Sequence, residues 1–243
     1  VTGTAIILEV LTFLGIKCSY YIPHRYNEGY GLNPQAVREL KSRGTGLIVT
    51  VDCGISNHEE IELSNSLGIE VVVTDHHNPP RVHPAAAAIV NPKLGEGSHP
   101  SRDLSGAGVA FKFAWALIKE AGIKESGLLF SLLDLVSLGT IADVVPLTAE
   151  NRILAVQGLK QLSSRRRLGL RCLIDAAGLG REINATHVNY AIAPRLNAAG
   201  RLEEASFAIE LLLARDEAKA REAAERLNRI NSKRQEIGNK IQE

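Results

Sequence analysis

The sequence contains no methionine and a single tryptophan. Val1 is therefore not an initiator residue. The chain also opens directly on an amphipathic stretch, Thr4 to Leu14, with no strand before it, so it reads as an internal portion of a longer protein. Cysteines are scarce. Cys18, Cys53 and Cys172 are odd in number and widely spaced, and no CxxC pair exists, which argues against a disulfide framework and predicts reduced thiols in the cytoplasm. No apolar run approaches the roughly 18 residues needed to cross a bilayer. The first residues lack the basic stretch and small-residue cleavage site of a signal peptide. An excess charge of one sign is also missing: the formal net charge is +1. With no global basic field, any site for a polyanion must be a local patch.

What is present is ordinary globular material, 45% hydrophobic and 23% charged over 243 residues. That length suits one large domain or two smaller ones. Residues 2–15 have helical spacing and end at Gly15, a C-cap glycine. Lys17 to Ile22 is short and β-prone, residues 34–43 are helical, and Gly46 to Val51 is a nearly continuous apolar run of the kind found in strands covered on both faces. A helix over 56–67 leads to a second such run at Glu70–Thr74, and a weaker third lies at Ala87–Asn91. Buried strands alternating with short helices predict an α/β fold, a parallel sheet flanked by helices. From about residue 103 the chain is predicted to be helical: 105–121, 127–141, 149–162, 168–177 and 203–213. It closes on one long, largely solvated helix from Asp216 to Glu243. Trp115, Phe111, Phe113 and Leu117 read as helix core, Arg165-Arg166-Arg167 as a solvated loop, and Cys53 as a small core filler.

Ligands of open parallel sheets lie beyond the carboxyl ends of the strands. Two such ends carry acidic groups: Asp52 in Val51-Asp52-Cys53-Gly54, and Asp75-His76-His77. Carboxylate with imidazole suits Mn²⁺, Fe²⁺ or Zn²⁺ better than Ca²⁺. Taken alone, Asp-His-His is equally a polar loop in which Asp75 caps the turn. Successive strands are usually neighbours, about 4.8 Å apart, a spacing that fits a ligand shared by two metals about 3.5–4 Å apart. Asp143, in Gly139-Thr-Ile-Ala-Asp143-Val-Val-Pro146, is an aspartate in an apolar stretch, costly unless paired or ligating; it also reads as a helix end exposed to water. Arg195, Asn197 and Arg201, in Pro194-Arg-Leu-Asn-Ala-Ala-Gly-Arg201, form a glycine-linked basic turn suited to phosphate oxygens.

Together these segments resemble the DHH phosphoesterase family, and within it the RecJ-type exonucleases. The segments Tyr21-Ile-Pro-His-Arg25, Glu28-Gly-Tyr-Gly-Leu32, Val51-Asp-Cys-Gly-Ile55 and Val73-Thr-Asp-His-His-Asn78 carry the resemblance. So do Asn91-Pro-Lys93, Leu104-Ser-Gly-Ala-Gly-Val109, Leu138 to Leu147 and Ala193 to Leu202. The resemblance implies a Rossmann-like DHH core over 1–147, a helical continuation over 148–214, and a connecting helix over 215–243. It implies two divalent cations, Mn²⁺ or Mg²⁺. Asp52 would bridge them, His76 and Asp143 would be further ligands, and Asp75 would ligate or orient a histidine. His77 would contact the scissile phosphate, while Arg195, Asn197, Arg201 and Arg25 would hold the substrate.

The activity so implied is 5′→3′ hydrolysis of single-stranded DNA in repair and recombination, in the cytoplasm, beside a helicase and a single-strand-binding protein. Two readings stay open beside it: a DHH phosphodiesterase of short oligonucleotides or cyclic dinucleotides, and a non-catalytic replication scaffold. The family's first motif, Asp-x-Asp-x-x-Gly, and its C-terminal associated domain with Gly-Gly-His are not among these residues. The 243 residues by themselves are therefore expected to bind metal poorly and to cleave little.

Overall fold

The two β-branched runs pair with each other, as their lack of a polar face requires. The computed structural model describes residues 1–23, 28–95, 99–124, 127–202 and 206–242, with backbone alone at 199–202 and 238–242. One parallel sheet has the order β1 (Leu47–Val51), β2 (Glu70–Thr74), β3 (Ala88–Val90). Val51 lies opposite Thr74, and Thr74 opposite Val90, so all three strands end at the same rim.

Helices cover both faces. α2 (Pro34–Ser42) starts where Asn33 accepts the Ala36 N–H at 2.8 Å and Pro34 fills the first turn, a favourable N-terminal arrangement. With α3 (His58–Ser66) it encloses Ile48, Ile61, Ile69, Val71 and Val73 in one small core. Each of these fully buried aliphatic side chains contributes about 1.5–3 kcal/mol of transfer free energy. The opposite face meets α4 (Gly106–Glu120), and Val51 packs into a larger core that α4 shares with α1 (Thr2–Phe13).

That larger core runs on through α5 (Gly127–Ser131), α6 (Leu133–Ala142), α7 (Ala149–Ser164) and α8 (Leu168–Ala176). α6 is buried nearly all round, as expected of a helix with no polar face. A short turn α9 (Ala185–His187) leads through a π-helical turn at Val188–Ile192 into α10 (Ala193–Leu202), α11 (Ser206–Leu212) and α12 (Glu217–Gln242). None of the helices among the described residues is long and apolar enough to cross a membrane.

Five sequence expectations change. Lys17 to Ile22 forms no strand: residues 16–19 are exposed and pair with no described strand. The stretch 127–141 is two helices, separated at Leu132. Trp115 is 49% exposed, its ring carrying the Lys112 ammonium 5.5 Å from the centroid. Arg165 and Arg167 are not solvated. Arg165 caps α7 in a left-handed conformation and bonds the Leu179 and Gly180 carbonyls, while Arg167 joins the buried Asp134 to the partly buried Glu9. The first half of α12 buries Ala220, Ala224, Leu227 and Ile230 against α8, α10 and α11, so its alanine-rich spacing marks a core seam.

Candidate metal centre

Each strand end delivers one part of the site. Asp52 leaves β1 with φ of +65°, a left-handed conformation that aspartate tolerates better than most residues. Its N–H donates to the Thr74 carbonyl at 2.9 Å, extending the ladder one step, and the Tyr30 hydroxyl donates to the Asp52 carbonyl. At the end of β2, Asp75 is 1% exposed. Its Oδ1 accepts the His76 N–H at 2.7 Å, the His77 N–H at 3.2 Å and His77 Nδ1 at 2.6 Å; its Oδ2 accepts the Ile55 N–H at 3.0 Å. Asp75 thus ties the two strand-end turns together and orients His77. Both its oxygens accept from these donors. Beyond β3, Asn91 donates from its side chain to the His77 carbonyl at 2.9 Å, closing the loop.

Asp143 arrives from the helical layer. It caps the C-terminus of α6, its N–H bonded to the Gly139 carbonyl at 3.0 Å. α6 can approach because Gly139 lacks a side chain. A Cβ there would stand 2.4 Å from that of Ala107 on α4 and 2.6 Å from Thr2 Oγ1 on α1.

The three groups converge. His76 Nε2 lies 3.1 Å from Asp52 Oδ1 and 3.5 Å from Asp143 Oδ2. Two ligand atoms about 2.1 Å from one ion stand about 3.0 Å apart at right angles and about 3.4 Å apart in a tetrahedron. Both separations therefore fit donors around a single cation. Asp52 Oδ1 is enclosed, and no N–H or O–H is aligned on it, an unsatisfied buried oxygen that calls for a positive partner. Ligand atoms of Asp52, His76 and His77 also lie within 4.8 Å of one another.

Burial alone would lower the pKa of His76. Asp52 first, then Asp143 and Asp75, outweigh burial and hold it above its ordinary value. Burial, reinforced by Asp52, raises that of Asp143 against the opposing pull of His76, His77 and Lys93. Burial, with Asp75 and Asp52 adding, pushes the Cys53 thiol up to about 12.

Of the residues singled out in the sequence, Asp52, Asp75, His76, His77 and Asp143 share this rim. Arg195 and Asn197 lie on α10, a helix rather than the expected basic turn, and the hydrogen bonds of Arg195 go elsewhere. Arg25 and the side chain of Arg201 lie outside the described residues. The sequence reading gave no role to Tyr30, Asn91, Lys93 or Gly106, although all four stand in segments that carry the family resemblance.

Gly106, the first residue of α4, backs directly onto the carboxylate: a Cβ there would sit 2.0 Å from Asp52 Oδ1. Alanine improves helix propensity yet must displace Asp52. Gly106→Ala is expected to weaken cation binding about 10–100-fold, the range for a change that misorients a ligand. A Mn²⁺ titration of the variant checks this, and unchanged affinity would remove Asp52 from the ligand set.

With this geometry in place, the chain can be set against known proteins. The family description "DHH family, N-terminal domain" matches residues 1–140. The single-stranded-DNA-specific exonuclease RecJ of Bacillus subtilis (strain 168) is 44% identical over 243 residues, 99% of this chain and 30% of that protein. The crystal structure of exonuclease RecJ bound to manganese superposes with a TM-score of 0.89 at 40% identity, covering 99% of this chain and 60% of the other. The Mn²⁺ complex of RecJ from Thermus thermophilus gives a TM-score of 0.84 at 38% identity, over 99% and 34% of the two chains. This chain thus spans about a third to three-fifths of the length of these relatives. The matched family region holds both acidic strand ends and most of α6, stopping just before Asp143: the chain belongs to the DHH family.

Proposed function

We propose that Asp52, His76 and Asp143 hold divalent cations, Mn²⁺ or Mg²⁺, and that the whole protein is a 5′→3′ exonuclease of single-stranded DNA. The observation that carries this reading is the convergence of His76 Nε2 on the enclosed Asp52 Oδ1 at 3.1 Å and on Asp143 Oδ2 at 3.5 Å. Its likeness to manganese-bound RecJ structures supports it. Asp52 has two oxygens at the end of β1 and, by the family resemblance, would be the residue shared by two cations. Residues 1–147 carry the centre, 148–214 continue the same core, and α12 connects to whatever follows. Cytoplasmic repair and recombination, beside a helicase and a single-strand-binding protein, is the setting we infer; three unpaired thiols at Cys18, Cys53 and Cys172 fit a reducing compartment.

When bound, the cations neutralise the phosphodiester and lower the pKa of a water. The chain's own residues position the rest. Asp75 takes the Nδ1–H of His77, which leaves Nε2 at the open face, there to meet a phosphoryl oxygen once protonated or a cation when neutral. Arg195 and Asn197 on α10 contact the strand, with Arg25 and Arg201 as further phosphate partners.

The test compares labelled single strands, duplexes, dinucleotides and pyrophosphate as substrates of the whole protein. Release of mononucleotides from single strands, abolished by a chelator, is the expected result; preferential cleavage of dinucleotides or pyrophosphate would displace the exonuclease reading.

A pH dependence accompanies it. Without a cation, the raised pKa of His76 gives a stability contribution that is full below about 6.5 and lost as pH rises through the elevated folded-state value. A cation competes with that proton, so its apparent affinity falls about tenfold per pH unit below the pKa of His76. The increase in melting temperature on adding Mn²⁺ is expected to be larger at pH 8 than at pH 6. A shift independent of pH would exclude His76 as a ligand.

A further inference from the structure

Arg195 is held in an unusual way for a half-buried cation. Its Nε donates to Asn228 Oδ1 at 2.9 Å and its Nη1 to the Ala191 carbonyl at 2.8 Å. Both acceptors are neutral, and among the described residues no carboxylate pairs with it. Burial alone lowers its pKa, with no acid opposing. A guanidinium has five N–H donors, and among the described residues the remaining donors have no partner.

The backbone on one side is specialised as well. Val188–Ile192 is wound as a π-helix, the Ala193 N–H reaching back to the Val188 carbonyl. Such turns are rare and concentrate at functional sites. It stands directly before α10 and supplies the Ala191 carbonyl. The other clamp comes from a different element: α12 packs along α10, and Asn228 sits on its contact face between the buried Leu227 and Ile230.

We propose that Asn228 is a positioning residue for substrate. Together with the Ala191 carbonyl it fixes the plane of the Arg195 guanidinium and leaves the unused donors aimed at a phosphodiester. An uncharged clamp is what this task requires, since an aspartate in its place would hold the same geometry and cancel the charge. The inference rests on the reading of Arg195 as a substrate contact. It adds that α12 sets the grip, so substrate affinity depends on how that helix sits against α10.

The experiment measures binding of a labelled single-stranded oligonucleotide to the whole protein across salt concentrations, with melting temperature as a control on folding. Asn228→Ala, Asn228→Asp, Arg195→Ala and the double variant Arg195→Ala/Asn228→Ala are compared. Each charge-neutralising contact with a single strand contributes about 0.7 to the slope of log affinity against log salt. Arg195→Ala is expected to weaken binding about tenfold or more and to lower that slope by about 0.7. Asn228→Ala should reproduce much of both changes. Asn228→Asp should lower the slope while keeping the melting temperature, and the double variant should be no worse than Arg195→Ala. A role confined to packing would move the melting temperature and leave the slope unchanged. If Arg195→Ala alters neither affinity nor slope, the substrate role of Arg195 is wrong and the proposal falls with it. If Arg195→Ala alters both and Asn228→Ala and Asn228→Asp alter neither, only the positioning role is overturned.

Discussion

Replacing Asp52 with asparagine is expected to lower Mn²⁺ affinity more than 100-fold and to abolish nuclease activity of the whole protein. Changes to residues that merely orient a ligand cost about 10–100-fold, whereas Asp52 is proposed to ligate directly through its enclosed Oδ1. Asparagine is the right replacement because Asp52 has φ of +65°. It is among the few residues that hold this conformation comfortably, whereas alanine adds backbone strain. Asp52→Asn keeps shape and backbone and removes charge. A second consequence follows from electrostatics: Asp52 is the largest of the influences that raise the pKa of His76. In the metal-free variant that pKa should fall, which NMR titration of the imidazole reads directly. Retained metal affinity together with an unchanged His76 titration would show that the carboxylate faces elsewhere.

Replacing Arg167 with alanine is expected to cost about 3–5 kcal/mol of folding stability, the range for removing one partner of a buried ion pair. Arg167 donates from Nε to Asp134 Oδ2 at 2.8 Å, from Nη1 to Glu9, and to the Leu212 carbonyl at 3.3 Å. One planar fork therefore joins α1, α6 and α11. Asp134 is 4% exposed, and burial raises its pKa even against the opposing pull of Arg167. Burying this pair is expensive, and breaking it is worse, because Asp134 is left charged and alone. The sign of the pH effect follows. A carboxyl whose folded pKa is raised contributes stability that is present at low pH and lost as pH rises through that value. Without Arg167 the pKa of Asp134 rises further. The stability gap between Arg167→Ala and the parent should therefore narrow from pH 7 to pH 5 in denaturant titrations. Lysine, a single point charge, cannot span both acids and should recover only part of the loss. A loss under about 1 kcal/mol would mean that water already solvates Asp134.

The same residue shows where sequence reading stops. Arg165-Arg166-Arg167 reads as a solvated basic loop because three adjacent cations usually are. Only Arg166 keeps to the surface without a partner role in the packing of this turn. Nothing near Arg167 in sequence predicts Glu9, 158 positions away. Trp115 shows the opposite error: it lies in an apolar helical segment but on its outer stripe, and phase is poorly marked when most residues of a helix are apolar. At 194–201, proline, glycine and asparagine suggest a turn, whereas the segment is helical and packs against α12.

The strands, by contrast, are legible because β-branched apolar runs bounded by polar residues have few other uses. Once they are placed, the chemistry at their carboxyl ends follows. Asp52, Asp75, His76 and His77 are predictable as a group because a parallel sheet must end its strands at one rim. By itself the sequence determines the elements, the parallel sheet and the acidic and imidazole groups at its edge. The tertiary structure alone decides how α6 brings Asp143 to that rim, that N–H donors take both oxygens of Asp75, that Gly106 makes room for Asp52, and that Asn228 grips Arg195. The reason is physical. Secondary structure and strand-end chemistry are set by local periodicity, whereas each of these four facts depends on elements distant in sequence approaching closely enough to exclude water and fix a side chain.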